Sequence, residues 1–282
     1  MIPTTFEYTA PDTLADAVRI LAADPANVAL AGGNGLITLL QRRELLPATV
    51  VDLRKLDVLR GMRLASGGRL WIGAMTTLTE LTDDPRVRAA HGNGALGDVL
   101  AVTGDPQARN RATIGGTIAS AAPGSDLAAA LLVMDATLDV IGPDGSRVIK
   151  SDDIYSGTTS LDHGELITGV HVEPAEPGSA YVRLTERATM HALCGVAVTV
   201  ALGMDGAVNR CRIATTGTST RPARLTELER AVLATHPPIS VPVPDASRFV
   251  DDALASGEYR RQMTSILAKR AFARAVDRAR NA

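Results

Sequence analysis

The first segment whose residue types could do chemistry consists of Ala31, Gly32, Gly33, Asn34, Gly35 and Leu36. It follows a short apolar run at 28–31 and leads into a second apolar run at 36–40, as in a unit of strand, glycine turn and helix. Glycines let backbone N–H groups come close to an anion, and a helix N-terminus also favours negative charge. A pyrophosphate would fit there. The alternative is an ordinary tight turn without a ligand, since the segment is not the GxGxxG pattern of a Rossmann unit.

A second glycine segment, predicted to form a turn, consists of Thr113, Ile114, Gly115, Gly116 and Thr117, with hydroxyl groups on both sides of the glycines. An extended dinucleotide needs two separate loops that contact it along its length, and two such segments are stronger evidence than one. The alternative is a β-turn between buried strands.

Charged residues stand close to the second segment. Arg109 and Arg111 lie in the polar stretch 104–111, which is predicted to be a loop. They could neutralise phosphate, pair with a partner protein, or be solvated surface charges. Asp126 begins an apolar helix predicted for 126–134. Its carboxylate could accept hydrogen bonds from a ribose or could simply cap that helix.

Other kinds of chemistry find little support in the sequence. The formal charge is −2, from 29 basic and 31 acidic residues, which gives no electrostatic reason to bind nucleic acid or an anionic membrane. Cys194 and Cys211 have no CxxC or Cys/His cluster near them, so we expect no metal site in this chain.

The five histidines lack metal-ligand spacing and no GxSxG elbow is present, so no catalytic residue is assigned. No apolar run has membrane-spanning length, and a cytoplasmic protein is expected.

Both helices and strands are predicted to position these residues. Hydrophobic residues make up 45% of the 282-residue chain but aromatic residues only 3%, a composition typical of α/β packing. The patterns predict a helix over 12–23, strands at 28–31, 49–53 and 69–74, helices within 76–103 with a break at 92–94, and a strand at 137–141 that enters a hairpin turn.

The composition changes abruptly at 173–179, which marks a candidate linker. Beyond it, alternating segments at 196–202 and 208–214 flank Met204-Asp205-Gly206-Ala207 and predict a hairpin. Helices are predicted over 223–234 and 259–279. The C-terminal part is therefore expected to be α+β.

The sequence resembles the FAD-binding medium subunits of molybdenum hydroxylases, the family of carbon monoxide dehydrogenase and xanthine dehydrogenase. Both glycine segments match the family's flavin loops in order and spacing. The resemblance extends over 105–116, 122–131, 164–168 and the strand-to-helix entry at 72–77, and so covers most of the chain.

The resemblance implies an FAD-binding region of the vanillyl-alcohol-oxidase-like (PCMH) type, built from two subdomains and followed by a small α+β domain. The limits expected are 1–174 for the FAD-binding domain, with subdomains of about 1–55 and 56–174, and 180–282 for the C-terminal domain. It further implies non-covalent FAD, with the pyrophosphate held by backbone groups of residues 32–36, the rest of the dinucleotide contacted by residues 113–117, and the ribose or adenosine side reached by Asp126.

In such enzymes a large subunit carries the molybdenum cofactor and a small subunit carries two [2Fe-2S] clusters. The flavin subunit passes their electrons to an external acceptor. The resemblance therefore implies a heterotrimer, of which two copies could form a dimer, and no nucleic-acid partner or membrane insertion.

Two alternatives remain open. The segment 181–191 lacks the basic run and the aspartate typical of the family near the flavin ring, which keeps open a stand-alone FAD-dependent oxidase or dehydrogenase that oxidises a small metabolite. The other is a non-catalytic binding protein that has lost FAD, although intact glycines in both segments argue against it. Covalent attachment is disfavoured because the first segment contains no His or Cys.

Overall fold

A computed structural model of the chain describes residues 5–65, 68–156, 161–174, 176–186, 192–234, 245 and 249–282. The chain divides into two compact units. The first comprises described residues within Met1–Leu81, Pro106–Ser120 and Thr137–Val172, and the second those within Thr82–Asp105, Ala121–Ala136 and Glu173–Ala282. The units interleave along the chain, and the predicted domain limits stay a prediction.

The strands are β1 (Glu7–Thr9), β2 (Val28–Leu30), β3 (Thr49–Asp52), β4 (Met62–Leu64), β5 (Leu70–Gly73), β6 (Thr137–Gly142), β7 (Gly145–Lys150), β8 (Leu166–Val172), β9 (Gly178–Thr185), β10 (Ala192–Leu202), β11 (Val208–Thr216) and β12 (Ala223–Arg224). The α-helices are α1 (Leu14–Ala23), α2 (Asn34–Arg42), α3 (Leu78–Asp83), α4 (Pro85–His91), α5 (Ala95–Val102), α6 (Pro106–Arg109), α7 (Ile114–Ala119), α8 (Asp126–Val133), α9 (Ser151–Ser156), α10 (Thr226–Ala234) and α11 (Gly257–Arg280).

The first unit contains a small parallel sheet with the strand order β1-β3-β2. Helix α1 begins where the Thr13 hydroxyl accepts a hydrogen bond from the Asp16 N–H, and it buries Ala17, Val18 and Leu21. These side chains belong to one apolar cluster with Val51 of β3. The central strand β3 ends at the buried Asp52, so the carboxyl ends of β2 and β3 lie side by side.

The same unit contains an antiparallel sheet of five strands in the order β4-β5-β8-β6-β7. One face carries Trp71, whose indole N–H donates to the Asp139 carboxylate at 3.0 Å. The Arg63 guanidinium lies 3.9 Å from the centre of the indole ring, and His171 contacts the same carboxylate at 2.8 Å. The opposite face buries residues such as Ile72, Leu138 and Val170.

The second unit contains an antiparallel sheet with the strand order β12-β11-β10-β9. Helix α11 packs on β9 and β10 through small and apolar residues, among them Leu267, Ala268, Ala271 and Ala275. All eight residues of α8 are buried. The predicted hairpin is confirmed, because the Gly203 N–H donates to the Ala207 carbonyl at 2.7 Å and joins β10 to β11.

The mixed parallel and antiparallel architecture confirms the predicted α/β plus α+β class. Two local predictions were wrong. Residues 113–117 are not a turn but the cap and first turns of α7, and the polar stretch 104–111 contains α6 rather than only a loop. The helix predicted for 223–234 begins at Thr226, because Ala223 and Arg224 pair with β11 as β12. Strands β8 and β9 were not predicted, and β9 begins at Gly178, inside the predicted linker 173–179.

Candidate functional site

The first glycine segment forms the entry of α2. Gly33 adopts a left-handed backbone with a φ of 91° and serves as the N-cap, and no side chain caps the helix there. The N–H groups of the first turn, those of Asn34, Gly35 and Leu36, have no acceptor within the helix. A methyl group added at Gly35 would meet nothing within 4 Å. The segment therefore offers open space beside unused backbone donors.

The second glycine segment forms the entry of α7. The Thr113 hydroxyl accepts a hydrogen bond from the Gly116 N–H at 3.2 Å and so caps the helix. Gly115 lies against the chain after β5: its N–H donates to the Ala74 carbonyl at 2.9 Å, and an added Cβ would lie 2.6 Å from the Ala74 side chain. Glycine is required at this close approach, which explains why Gly115 occurs in a helix.

The two segments lie together in the first unit. A Cβ added at Gly116 would be 3.4 Å from the Ala31 Cβ, and one added at Gly32 would overlap the Arg111 carbonyl oxygen. The Asn34 amide also donates to the Ala108 carbonyl at 3.0 Å. Eleven of the twelve predicted binding residues, 31–36 and 113–117, thus belong to one region, although their contact with a ligand stays a prediction.

A cavity of about 250 Å³ adjoins both segments within the first unit. Its lining residues are Ala31, Gly32, Asp52, Arg54, Arg60, Met75, Thr77, Asn110, Arg111 and Thr113. Three arginines face one aspartate in this lining, so the cavity carries excess positive charge. Such a site suits an anionic group of a ligand.

Asp52 organises the acidic part of this lining. The whole residue is only 1% exposed, and its carboxylate accepts hydrogen bonds from the Tyr8 hydroxyl at 2.8 Å and from Nε of Arg54 at 2.6 Å. Burial alone would raise the pKa of Asp52, but the hydrogen bonds from Arg54 and Tyr8 outweigh it and hold this pKa below its usual value. The same hydrogen bond to Asp52 raises the pKa of Tyr8. Asp52 is therefore an ionised anchor for Arg54.

Asp126, the twelfth predicted residue, belongs to the second unit. It is 4% exposed, and its carboxylate accepts hydrogen bonds from the Tyr181 hydroxyl, from Arg183 at 2.5 Å and from Thr103 at 3.3 Å. Burial raises the pKa of Asp126 in spite of these partners. The N-cap of α8 is Ser125, so the capping role considered for Asp126 is not observed. Its predicted contact with a ribose stays a prediction.

The remaining candidate groups, the cysteines and His91, are buried in the fold. Both cysteines are buried, and burial raises the pKa of Cys194 to about 11 and that of Cys211 to about 12. His91 is buried, which lowers its pKa. Among the described residues, no group of three or more His, Cys, Asp or Glu side chains could hold a metal ion. His191 and His236 lie outside the described residues, as do residues 187–191 of the divergent segment.

In the part of the chain that the structure describes, no helix has both the length and the apolar character needed to cross a membrane.

Sequence reasoning missed Asp52, Arg54 and Arg60. One signal could have identified Asp52, because a polar residue that directly follows a buried parallel strand lies at the edge of the sheet where ligands bind in α/β proteins. Arg54 lies in a short 3-10 turn and Arg60 directly follows another. Neither carries such a signal, since their approach to the glycine segments is long-range.

Comparisons with known proteins found similar chains. A family model described as the FAD-binding domain in molybdopterin dehydrogenase matches residues 4–175. The chain is 31% identical to the carbon monoxide dehydrogenase medium chain of Afipia carboxidovorans over the whole of both chains. It is 35% identical to a putative xanthine dehydrogenase FAD-binding subunit of Escherichia coli over 63% of this chain and 62% of that one. Its fold matches a chain of carbon monoxide dehydrogenase from Hydrogenophaga pseudoflava with a TM-score of 0.89, at 30% identity and 99% coverage of both chains.

Proposed function

This chain belongs to the family of FAD-binding domains in molybdopterin dehydrogenases, and we propose that it is the electron-transfer subunit of a molybdenum-containing hydroxylase or dehydrogenase. In this role it passes electrons from [2Fe-2S] clusters of a partner subunit through non-covalent FAD to an external acceptor. The observation that carries the proposal is the convergence of both glycine segments on one cationic cavity.

The residues present fit FAD. Gly35 leaves open space next to the first turn of α2, whose backbone N–H groups can donate to the pyrophosphate. Residues 113–117 lie against the first segment at Ala31 and can contact the neighbouring part of the dinucleotide. The contact of Asp126 with the ribose is proposed from the family resemblance alone, since Tyr181 and Arg183 already hold its buried carboxylate. When bound, the isoalloxazine of FAD supplies the redox chemistry, since a flavin can take up single electrons and deliver two.

The proposed partners are a large subunit with the molybdenum cofactor and a small iron-sulfur subunit, in a heterotrimer of which two copies could form a dimer. The names of several relatives support this proposal, because they are medium chains or subunits of dehydrogenase complexes. We also propose the domain limits 1–174 and 180–282 and a cytoplasmic location.

An absorption spectrum of the purified chain, with and without added FAD, tests cofactor binding. We expect visible flavin bands on the protein, and after acid precipitation the flavin should appear in the supernatant because it is not covalently attached. A chain that takes up no FAD at micromolar concentrations would contradict the proposal and favour the binding-protein alternative.

A second experiment separates the electron-transfer subunit from a stand-alone enzyme. The tagged chain is purified from its native source, and its molybdenum, iron and flavin contents are measured. We expect all three in fixed ratio, with the flavin reduced by substrate only in the complex. A metal-free chain whose flavin is reduced directly by a small metabolite would establish the stand-alone alternative.

A further inference from the structure

The cavity beside the glycine segments has a cationic wall formed by Arg54 and Arg60. The two residues are connected, because Nη2 of Arg60 donates to the Arg54 backbone carbonyl at 3.4 Å. Arg60 also forms a weak ion pair with Asp57. Its Nε lies 3.9 Å from a carboxylate oxygen of Asp57, and the Asp57 side chain is 95% exposed. Arg111 adds a third guanidinium to the lining, and its Nε donates to the Gly32 carbonyl at 3.3 Å. The positive charge is thus concentrated beside the first glycine segment.

Arg54 is held on one side by a buried carboxylate. Its Nε and Nη2 atoms both lie 2.6 Å from Oδ2 of Asp52, and its backbone N–H donates to Oδ1 at 2.9 Å. The Asp52 side chain is 2% exposed, whereas that of Arg54 is 64% exposed. No described residue accepts a hydrogen bond from Nη1 of Arg54. A guanidinium fixed in this way has free donors on an accessible edge and loses little side-chain entropy when an anion binds.

We propose that Arg54, with Arg60 beside it, binds the diphosphate of the dinucleotide and makes the cavity select phosphorylated ligands over riboflavin. This inference rests on the proposed function, because it takes FAD as the ligand. Asp52 acts through Arg54 and is a positioning residue. The backbone donors of α2 and the two guanidinium groups would then contact the same diphosphate from different sides.

The test compares three probes on the full chain: FAD, ADP, which has the diphosphate without the flavin, and riboflavin, which has the flavin without phosphate. For Arg54→Gln we expect the affinities for FAD and ADP to fall by about 10- to 100-fold, the effect of losing a charge-assisted hydrogen bond. The affinity for riboflavin should not change. Equal losses for FAD and riboflavin, or no loss for FAD, would overturn the inference.

Arg54→Gln leaves the buried Asp52 carboxylate without its ion partner, so the variant could fold poorly. Arg60→Gln is the second variant, because Arg60 has no ionic contact with a buried carboxylate in the described structure. It should weaken FAD and ADP binding in the same selective way. A matched control is Arg19→Gln, which removes an arginine from an exposed ion pair on α1, 3.1 Å from Asp16 and outside the cavity lining. The control should bind all three probes as the unchanged protein does.

Asp52→Asn tests whether Asp52 acts by positioning the Arg54 guanidinium or only by its effect on the charge of the cavity. The change makes the cavity more positive, so an effect of charge alone would raise the ratio of FAD affinity to riboflavin affinity. If Asp52 fixes the guanidinium, the ratio falls instead. A rise would overturn the positioning role. Failure of the unchanged protein to bind FAD would count against the proposed function, whereas normal FAD binding by both arginine variants would count only against this inference.

Discussion

Gly32 and Gly35 stand three positions apart, yet a methyl group would meet different surroundings at each. At Gly35 it would meet no atom within 4 Å, whereas at Gly32 it would overlap the Arg111 carbonyl oxygen. Gly35 lies inside α2, where alanine is a better helix former by about 1 kcal/mol. The two positions therefore separate an effect on the fold from an effect on the ligand.

We expect Gly35→Ala to keep or raise the free energy of unfolding of the FAD-free chain and to weaken FAD binding, because the methyl group enters the space beside the first-turn N–H groups. Gly32→Ala should lower the free energy of unfolding by about 1–3 kcal/mol, as overpacking commonly does. Chemical denaturation and FAD titration measure both effects. Unchanged FAD affinity in Gly35→Ala would place the ligand away from α2.

Asp52 gives the FAD-free chain a defined dependence on pH. Its pKa in the folded state lies below the ordinary value of 3.8, so the stability that it contributes is fully present above that value and is lost as the pH falls through the folded value. Asp52→Asn has no such titration. We expect the stability difference between the two proteins to shrink on acidification below about pH 4. Denaturant titrations at several pH values measure it, and a difference that grew would contradict the lowered pKa.

At the scale of elements, the first residue of α8 ties this helix to the rest of the second unit. The Asp126 carboxylate meets Arg183, whose side chain is 6% exposed, and the buried Tyr181 hydroxyl. Asp126→Ala leaves this buried guanidinium without its partner and should cost about 3–5 kcal/mol in the free energy of unfolding. Asp57→Ala is the control, because the Asp57 side chain is 95% exposed and its loss should change stability by less than about 0.5 kcal/mol. Similar, small effects of both changes would show that the Asp126 contacts do not hold α8.

The elements also show what the sequence could predict. Helix α1 and the β10–β11 hairpin were predicted because their caps, apolar spacing and turn residues are local signals. Helix α7 was predicted as a turn because its two glycines disfavour a helix. Close approaches explain both glycines, since an added Cβ would lie 2.6 Å from the Ala74 side chain at Gly115 and 2.8 Å from the Thr113 hydroxyl oxygen at Gly116. Strand β8 ends directly before the linker-like stretch 173–179 and β9 begins inside it, and both strands were missed. The glycine segments that adjoin the cavity were recognised as candidates from the sequence. The cationic wall of Arg54 and Arg60 was not, because its position depends on the parallel pairing of β3.

At the scale of the whole molecule, a ligand that binds only the folded chain must stabilise it. With FAD at about 100 times its dissociation constant, the free energy of unfolding should rise by about 2.7 kcal/mol. Thermal unfolding with increasing FAD measures the effect as a rising midpoint. The same series on Gly35→Ala should give a smaller rise at equal FAD concentrations. An unfolding midpoint that does not change with FAD concentration would mean that the folded chain does not bind FAD.

The only tryptophan of the chain, Trp71, lies on β5, four residues before Met75 of the cavity lining. Four residues span at most about 14 Å, so the indole is a near neighbour of the cavity. Indole emission overlaps flavin absorption, and this chain therefore contains one built-in fluorescence donor beside its proposed acceptor. We expect FAD, but not ADP, to quench the tryptophan emission by energy transfer. A single emission trace can then tell which half of the dinucleotide has entered, without any label.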